Sequence, residues 1–166
     1  MKHIALLILG ILYINTLHAQ QDTVTCNSNL DTEHRAMFYK GVSLREHDKK
    51  EAFRLLRQVV GTYPDCGAAW FHLAEMNYQL GMRAISNVKP KHIRASGYLD
   101  KARRQFKRTI TFCPSYEDYS SYFYLGVYYY DLKDYQEAHG YLKKFQENSS
   151  SSYQAIRQTR RYLKDI

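Results

Sequence analysis

Trp70-Phe-His-Leu-Ala74 and Tyr122-Phe-Tyr-Leu-Gly126 are one pattern written twice. Each opens on an aromatic, places Leu three residues on, and follows it with a residue small enough for close helix packing. Further along, each adds a second small residue and then a bulky one four later: Ala102 and Phe106, then Ala138 and Leu142. An earlier copy lacks the aromatic start but keeps Gly41, Ala52, Leu56 and Pro64. The pairs Ala52/Ala102, Leu56/Phe106 and Pro64/Pro114 all share one offset of 50 residues. Pro64 and Pro114 should each end a helix, because proline cannot continue the hydrogen-bond ladder.

This order of aromatic, Leu-small, Ala, bulky and Pro resembles the tetratricopeptide repeat, whose period is about 34 residues. One period subtracted from the shared offset leaves about sixteen extra residues between Gly81 and Leu99. The expected units are helix pairs: Thr32–Glu46 with Lys49–Thr62, Cys66–Leu80 with His92–Thr111, and Glu117–Leu132 with Tyr135–Glu147. Turns are expected at His47-Asp48, Gly81 and Lys133-Asp134. A polar run from Asn148 to Ser152 precedes a last helix, Tyr153 to Asp165, with Ile156 and Leu163 on one side. Repeat arrays need such an end cap with a polar outer face. The expected fold class is therefore all-α: a tetratricopeptide helix-turn-helix solenoid over 32–148, about three repeats, with an insertion near 82–98 and a capping helix in 149–166. A generic helical bundle would not place three markers at one offset.

The chain starts Met1-Lys2-His3, runs apolar from Ile4 to Ile14, and reaches Leu17-His18-Ala19. A basic start, a short apolar stretch and a small residue at the end read as a signal peptide over 1–19. The run is too short to span a bilayer. Residues 20–31 then form a flexible segment before the array. An exported protein, periplasmic or outer-membrane-associated, can hold disulfides. With Cys26, Cys66 and Cys113, one thiol must stay unpaired within the chain. Cys66 and Cys113 both sit beside a unit-ending proline and could meet across neighbouring repeats, as a bridge or as two buried thiols.

A narrower resemblance covers Tyr122-Phe-Tyr-Leu-Gly-Val-Tyr-Tyr-Tyr-Asp-Leu-Lys-Asp-Tyr-Gln-Glu-Ala138, Tyr141-Leu-Lys-Lys-Phe145, the polar gap and the basic last helix. It is similar to the N-terminal repeat module of Bacteroidota envelope proteins that join such repeats to a β-propeller and an OmpA-like domain. No residue here matches the OmpA-like motif, so peptidoglycan binding is not implied.

In tetratricopeptide folds the first helices of the units line a concave groove. The resemblance therefore implies a peptide groove of Phe38, Val42, Arg45, Phe71, Glu75, Tyr78, Phe123, Val127 and Tyr130, which share one face by helical spacing. The formal charge is +8, and it is concentrated in one stretch. From Arg83 to Arg108, Arg83, Lys89, Lys91, Arg94, Lys101, Arg103, Arg104, Lys107 and Arg108 are opposed by Asp100 alone. Such localised charge concerns partners, not fold. It points to an anionic partner, possible in an envelope component, and equally describes a solvated helix face. Nucleic acid is not expected, because many of the 16 tyrosines sit at repeat-core positions and an exported chain rarely meets it.

Catalysis finds little support. Ser86-Asn-Val-Lys89 matches a Ser-x-x-Lys motif, but its companion Ser-Asp-Asn and Lys-Thr-Gly motifs are missing. The histidines show no metal-ligand spacing, and no phosphate loop occurs. No cofactor or metal is expected. The functional expectation is an exported, non-enzymatic protein–protein interaction module, an adaptor or scaffold that holds a peptide or protein segment. The alternative is a subunit of a larger envelope or secretion assembly with no peptide ligand of its own.

Overall fold

A computed structural model describes Cys26, 29–87, 92–150 and 153–166, and the side chains of 86–96 and 153–154 lie outside what is described. The expected signal peptide lies wholly outside the described residues. Among the described residues seven α-helices follow one another: α1 Thr32–Ser43, α2 Lys49–Thr62, α3 Gly67–Asn87, α4 His92–Phe112, α5 Ser120–Asp131, α6 Tyr135–Asn148 and α7 Tyr153–Lys164. No strand occurs among the described residues. No described helix is long and apolar enough to cross a membrane. The fold is an all-α helical repeat solenoid. Its units are α1–α2, α3–α4 and α5–α6, each packed on the next, with α7 stacked on the last.

Short acidic signals set the helix starts. Asp48 accepts from the Glu51 N–H at 3.1 Å and Asp134 from the Glu137 N–H at 3.4 Å. Both are Asp-x-x-Glu, so second helices of two units begin on the same capping device. Asp31 does the same for α1, accepting from the His34 N–H at 2.8 Å. Helix ends follow the prolines. The Tyr63 and Cys113 N–H groups each close the last turn at 2.7 Å, onto Val59 and Thr109, and proline follows each. A residue before proline is disfavoured in the helical region, and Tyr63 leaves it at φ −121°.

The repeat markers make the core. Ala52, Leu56, Ala102, Phe106, Ala138 and Leu142 are all buried. The small residue of each first helix is where the second helix crosses. A β-carbon on Gly126 would meet Leu142 Cγ at 2.5 Å, and one on Gly41 would meet Leu56 Cγ at 3.0 Å. The opening aromatic ties units together: Trp70 Nε1 donates to the Pro64 carbonyl of the preceding unit at 2.8 Å.

Four expectations are corrected. Gly81 is not a turn, since α3 runs on to Asn87. A β-carbon there would lie 2.6 Å from Leu99 Cδ2, so this glycine serves close helix contact rather than chain reversal. The insertion near 82–98 is accordingly mostly helix. The two helices of unit two have 21 residues each, against 12 and 14 in units one and three. Residues 88–91, including Lys89, Pro90 and Lys91, lie outside the described residues. Third, α5 starts at Ser120 because Glu117, Asp118 and Tyr119 take positive φ of 49°, 53° and 63°. This left-handed run aims Asp118 at the segment before α7, where it accepts from Ser149 Oγ at 2.6 Å and the Ser150 N–H at 2.9 Å.

The fourth correction concerns the cysteines. Cys26 is bridged to Cys113, with Cα atoms 5.6 Å apart, and Cys66 is the buried free thiol. Cys66 and Cys113 do lie on adjoining turns: a β-carbon on Gly67 would fall 2.7 Å from Cys113 Cβ. The chain before α1 nevertheless supplies the partner. Cys26 and Leu30 are buried in the core, and Arg35 donates to the Leu30 carbonyl at 3.0 Å. Within 20–31, Cys26 and Leu30 thus pack into the core, while 20–25 and 27–28 lie outside the described residues.

Candidate functional site

The first helices α1, α3 and α5 carry the nine expected groove residues, and burial divides them. Phe38, Phe71 and Val127 are buried, at 3%, 4% and 7% exposure. Phe71 packs edge-on to Phe106 and Tyr116, at 5.8 and 5.4 Å between ring centres. Phe123 is half-buried against Phe145, and Val42 is half-buried against the core. These five hold helices together. Arg45, Glu75, Tyr78 and Tyr130 remain half-exposed, and they form the accessible floor.

The floor has a charged end and an aromatic end. At the charged end Arg45 Nη1 donates to Glu75 Oε2, while Arg45 Nε donates to the Val42 carbonyl at 3.1 Å. Glu75 Oε2 also lies 4.0 Å from His72 Nδ1. His72 and then Arg45 hold the Glu75 carboxyl below its ordinary range. His72 itself is buried, and its Nε2 shares a 2.9 Å hydrogen bond with the Tyr116 hydroxyl. Burial holds its pKa below the ordinary value, against the pull of Glu75. It is neutral near neutral pH and belongs to the packing rather than to a ligand-facing surface.

At the aromatic end Tyr78 lies 5.0 Å from Tyr124, which stacks on Phe106 at 4.8 Å. Burial pushes the Tyr78 hydroxyl up to about 12, helped by Asp131, Tyr124 and Tyr162. Tyr130 meets Tyr162 of α7 edge-on at 4.8 Å, and its hydroxyl donates to Asp165 at 3.4 Å. Tyr124 and Tyr162 were missed by helical spacing. Tyr124 sits one residue off the groove register, and Tyr162 becomes legible once the register is carried into the cap, since Tyr130 lies nearly one period before it.

The basic stretch separates differently. Arg83, Lys101, Arg104 and Arg108 are exposed, and Arg103 and Lys107 are half-buried. Lys89 and Lys91 lie outside the described residues, as does the side chain of Arg94. Asp100 pairs with Arg103 at 3.2 Å and with Arg104 at 2.9 Å. Such exposed pairs at helical spacing contribute little stability. Among the described residues no three His, Cys, Asp or Glu side chains converge as metal ligands.

Comparison with known proteins agrees with the repeat arithmetic. Tetratricopeptide repeat models match residues 35–65 and 94–153. The first match covers most of unit one, the second runs from α4 through α6, and α3 with the start of the lengthened stretch falls between them. No curated protein and no solved structure gives a significant match. Two repeat-model matches that together span more than half of the 166 residues, on a stack of helix pairs with the repeat's packing positions filled, make this chain a tetratricopeptide-repeat protein.

Proposed function

We propose that this protein is an exported interaction module that holds an extended segment of a partner protein along its concave face. The observation that carries this reading is the line of half-exposed tyrosines, Tyr78, Tyr124, Tyr130 and Tyr162, that continues from the Arg45–Glu75 pair. Tyrosines offer flat apolar area and a hydroxyl at low entropic cost, and an aromatic-lined groove suits a peptide in extended conformation. The His72–Tyr116 pair at the site is buried, and the accessible floor offers shape and polar contacts, which favours binding over catalysis. Export is supported by the leader-like first nineteen residues and by the Cys26–Cys113 bridge, since disulfides persist in oxidising compartments. The basic residues of unit two add contact with an anionic partner of the cell envelope.

A second reading has the protein as a subunit of a larger envelope assembly, like the repeat module of multidomain Bacteroidota proteins that its C-terminal half resembles. Exposed Leu132 and Tyr135, at 60% and 42%, give that reading an apolar turn for a neighbour to cover.

Crosslinked capture from envelope fractions separates the two. The Tyr78→Ala/Tyr130→Ala variant should lose captured partner while keeping its helical circular dichroism. Capture that survives this change, or a single large complex held through Leu132 and Tyr135, rules against the groove.

A further inference from the structure

Away from the Arg45–Glu75 floor, α4, α5 and α6 share a feature that the groove does not use. Four tyrosines, Tyr122 and Tyr129 buried and Tyr128 and Tyr141 half-buried, form a continuous chain of rings from α5 to α6. Tyr128 meets Tyr129 edge-on at 5.4 Å, Tyr129 stacks on Tyr141 at 5.6 Å and 3° between planes, and Tyr141 reaches Tyr122 at 6.3 Å. Cations from α4 and α6 rest on this band. Arg103 lies 6.0 Å from the Tyr128 ring centre, Lys107 5.4 Å from Tyr129, and Lys144 5.8 Å from Tyr122. Beside them on α4, Lys101, Arg104 and Arg108 share the exposed stripe. The opposing carboxylates are Asp100, already paired with Arg103 and Arg104, and Glu137 near Tyr141.

Two properties narrow the partner. A ring face under a cation restrains the long side chain without covering its remaining donors, so the positive row is ordered and still hydrated. A protein interface needs a desolvated apolar centre, and burying this many cations there would cost more than pairing returns. A charged headgroup layer leaves them wet. The apolar side chain at the margin suits the same surface: Phe112, 39% exposed, lies one turn beyond Arg108.

We propose that this face of α4–α6, with Lys101, Arg103, Arg104, Lys107, Arg108 and Lys144 on its tyrosine band, docks this protein onto a bilayer surface rich in anionic phospholipid, with Phe112 entering the headgroup layer. The inference rests on the anionic-partner part of the proposed function, and it assigns that contact to α4 and α6.

The test is co-sedimentation of the full chain with phosphatidylcholine vesicles, with and without about one-third phosphatidylglycerol. Binding is expected on the anionic vesicles alone and should fall steeply as salt shortens the screening length from ~8 Å toward ~3 Å. Each cation neutralised should cost about fivefold in partition, so Lys107→Gln/Lys144→Gln should lose about 25-fold with its thermal unfolding unchanged. Should that pair perturb folding, Arg104→Gln/Arg108→Gln, both exposed, carries the same expectation. Phe112→Ser should weaken binding without altering the salt slope. Equal binding to neutral vesicles, tighter binding to duplex DNA, or full retention by both charge variants overturns the proposal. Retention by immobilised poly-aspartate but not by vesicles overturns it while preserving an acidic protein as partner. Retention by neither removes the anionic partner altogether and leaves the groove, tested separately through Tyr78 and Tyr130, untouched.

Discussion

Single residues in this protein act through what lies opposite them. Gly126 and Gly140 are both helical glycines, yet they should respond in opposite directions. A methyl at Gly126 runs into Leu142, whereas a methyl at Gly140 meets nothing within 4 Å. Gly126→Ala should destabilise by about 1–3 kcal/mol through overpacking. Gly140→Ala should stabilise by about 0.4–1 kcal/mol by restricting the unfolded chain. Urea denaturation of the two variants checks both signs. His72 supplies a pH dependence. Burial depresses its folded pKa below the ordinary 6.5, so the unfolded chain takes up a proton that the folded chain refuses. Its contribution is whole above pH 6.5 and is lost as pH falls through that value toward the folded one. Denaturation midpoints measured from pH 7.5 down should fall in that window, and His72→Gln should flatten the loss. A loss of stability that persists unchanged in the variant would assign it to other groups. Histidine's presence at position 72 was visible in the sequence. Its lack of solvent was not, because that depends on Phe38 and Tyr116 arriving from other elements.

At the scale of elements, two ties outside the helices hold the array. Cys26–Cys113 closes a loop with a sequence separation of 87. Loops of that size should yield about 4–5 kcal/mol by the chain-entropy estimate. Cys26→Ser should therefore lower unfolding stability by about 2–5 kcal/mol, read by denaturation with and without reductant. Non-reducing mass analysis after unfolding should find one free thiol, Cys66. A second tie is Asp118, held in a left-handed run and bonded to Ser149 and Ser150. Three non-glycine residues in that region cost of order 1 kcal/mol or more each, and charge-assisted bonds offset the cost. Asp118→Ala should destabilise by about 1–3 kcal/mol and loosen α7, detected as faster amide exchange there. Unchanged exchange in α7 would deny the tie. Helix boundaries followed closely from capping acids and prolines, as at Asp48, Asp134, Pro64 and Pro114. They failed at Gly81, where a turn-like residue serves packing.

As a whole molecule, the solenoid separates two chemistries. The groove offers tyrosines and one paired cation, and the face of α4–α6 offers a cation row over a tyrosine band. If these are independent surfaces, Tyr78→Ala/Tyr130→Ala should leave vesicle binding within about twofold, because distant sites without shared partners act additively. Lys107→Gln/Lys144→Gln should likewise leave groove capture intact. Reciprocal loss in both assays would mean that one surface serves both.

The repeat period, the paired helices, the core positions and the lengthening of unit two were all present in residue order, because packing every 34 or so residues imposes its small and bulky residues at fixed offsets. Charge concentration could be read by counting. Other features needed the packed chain. The sequence holds three cysteines but no record of which two approach, since pairing is a matter of Cα distance across 87 positions. Helical spacing placed Phe38 and Phe71 on the groove side but could not show that neighbouring helices cover them. The tyrosine band lies on two helices and the cations Arg103 and Lys107 come from a third, so the row of cations over rings is not visible until the helices stack.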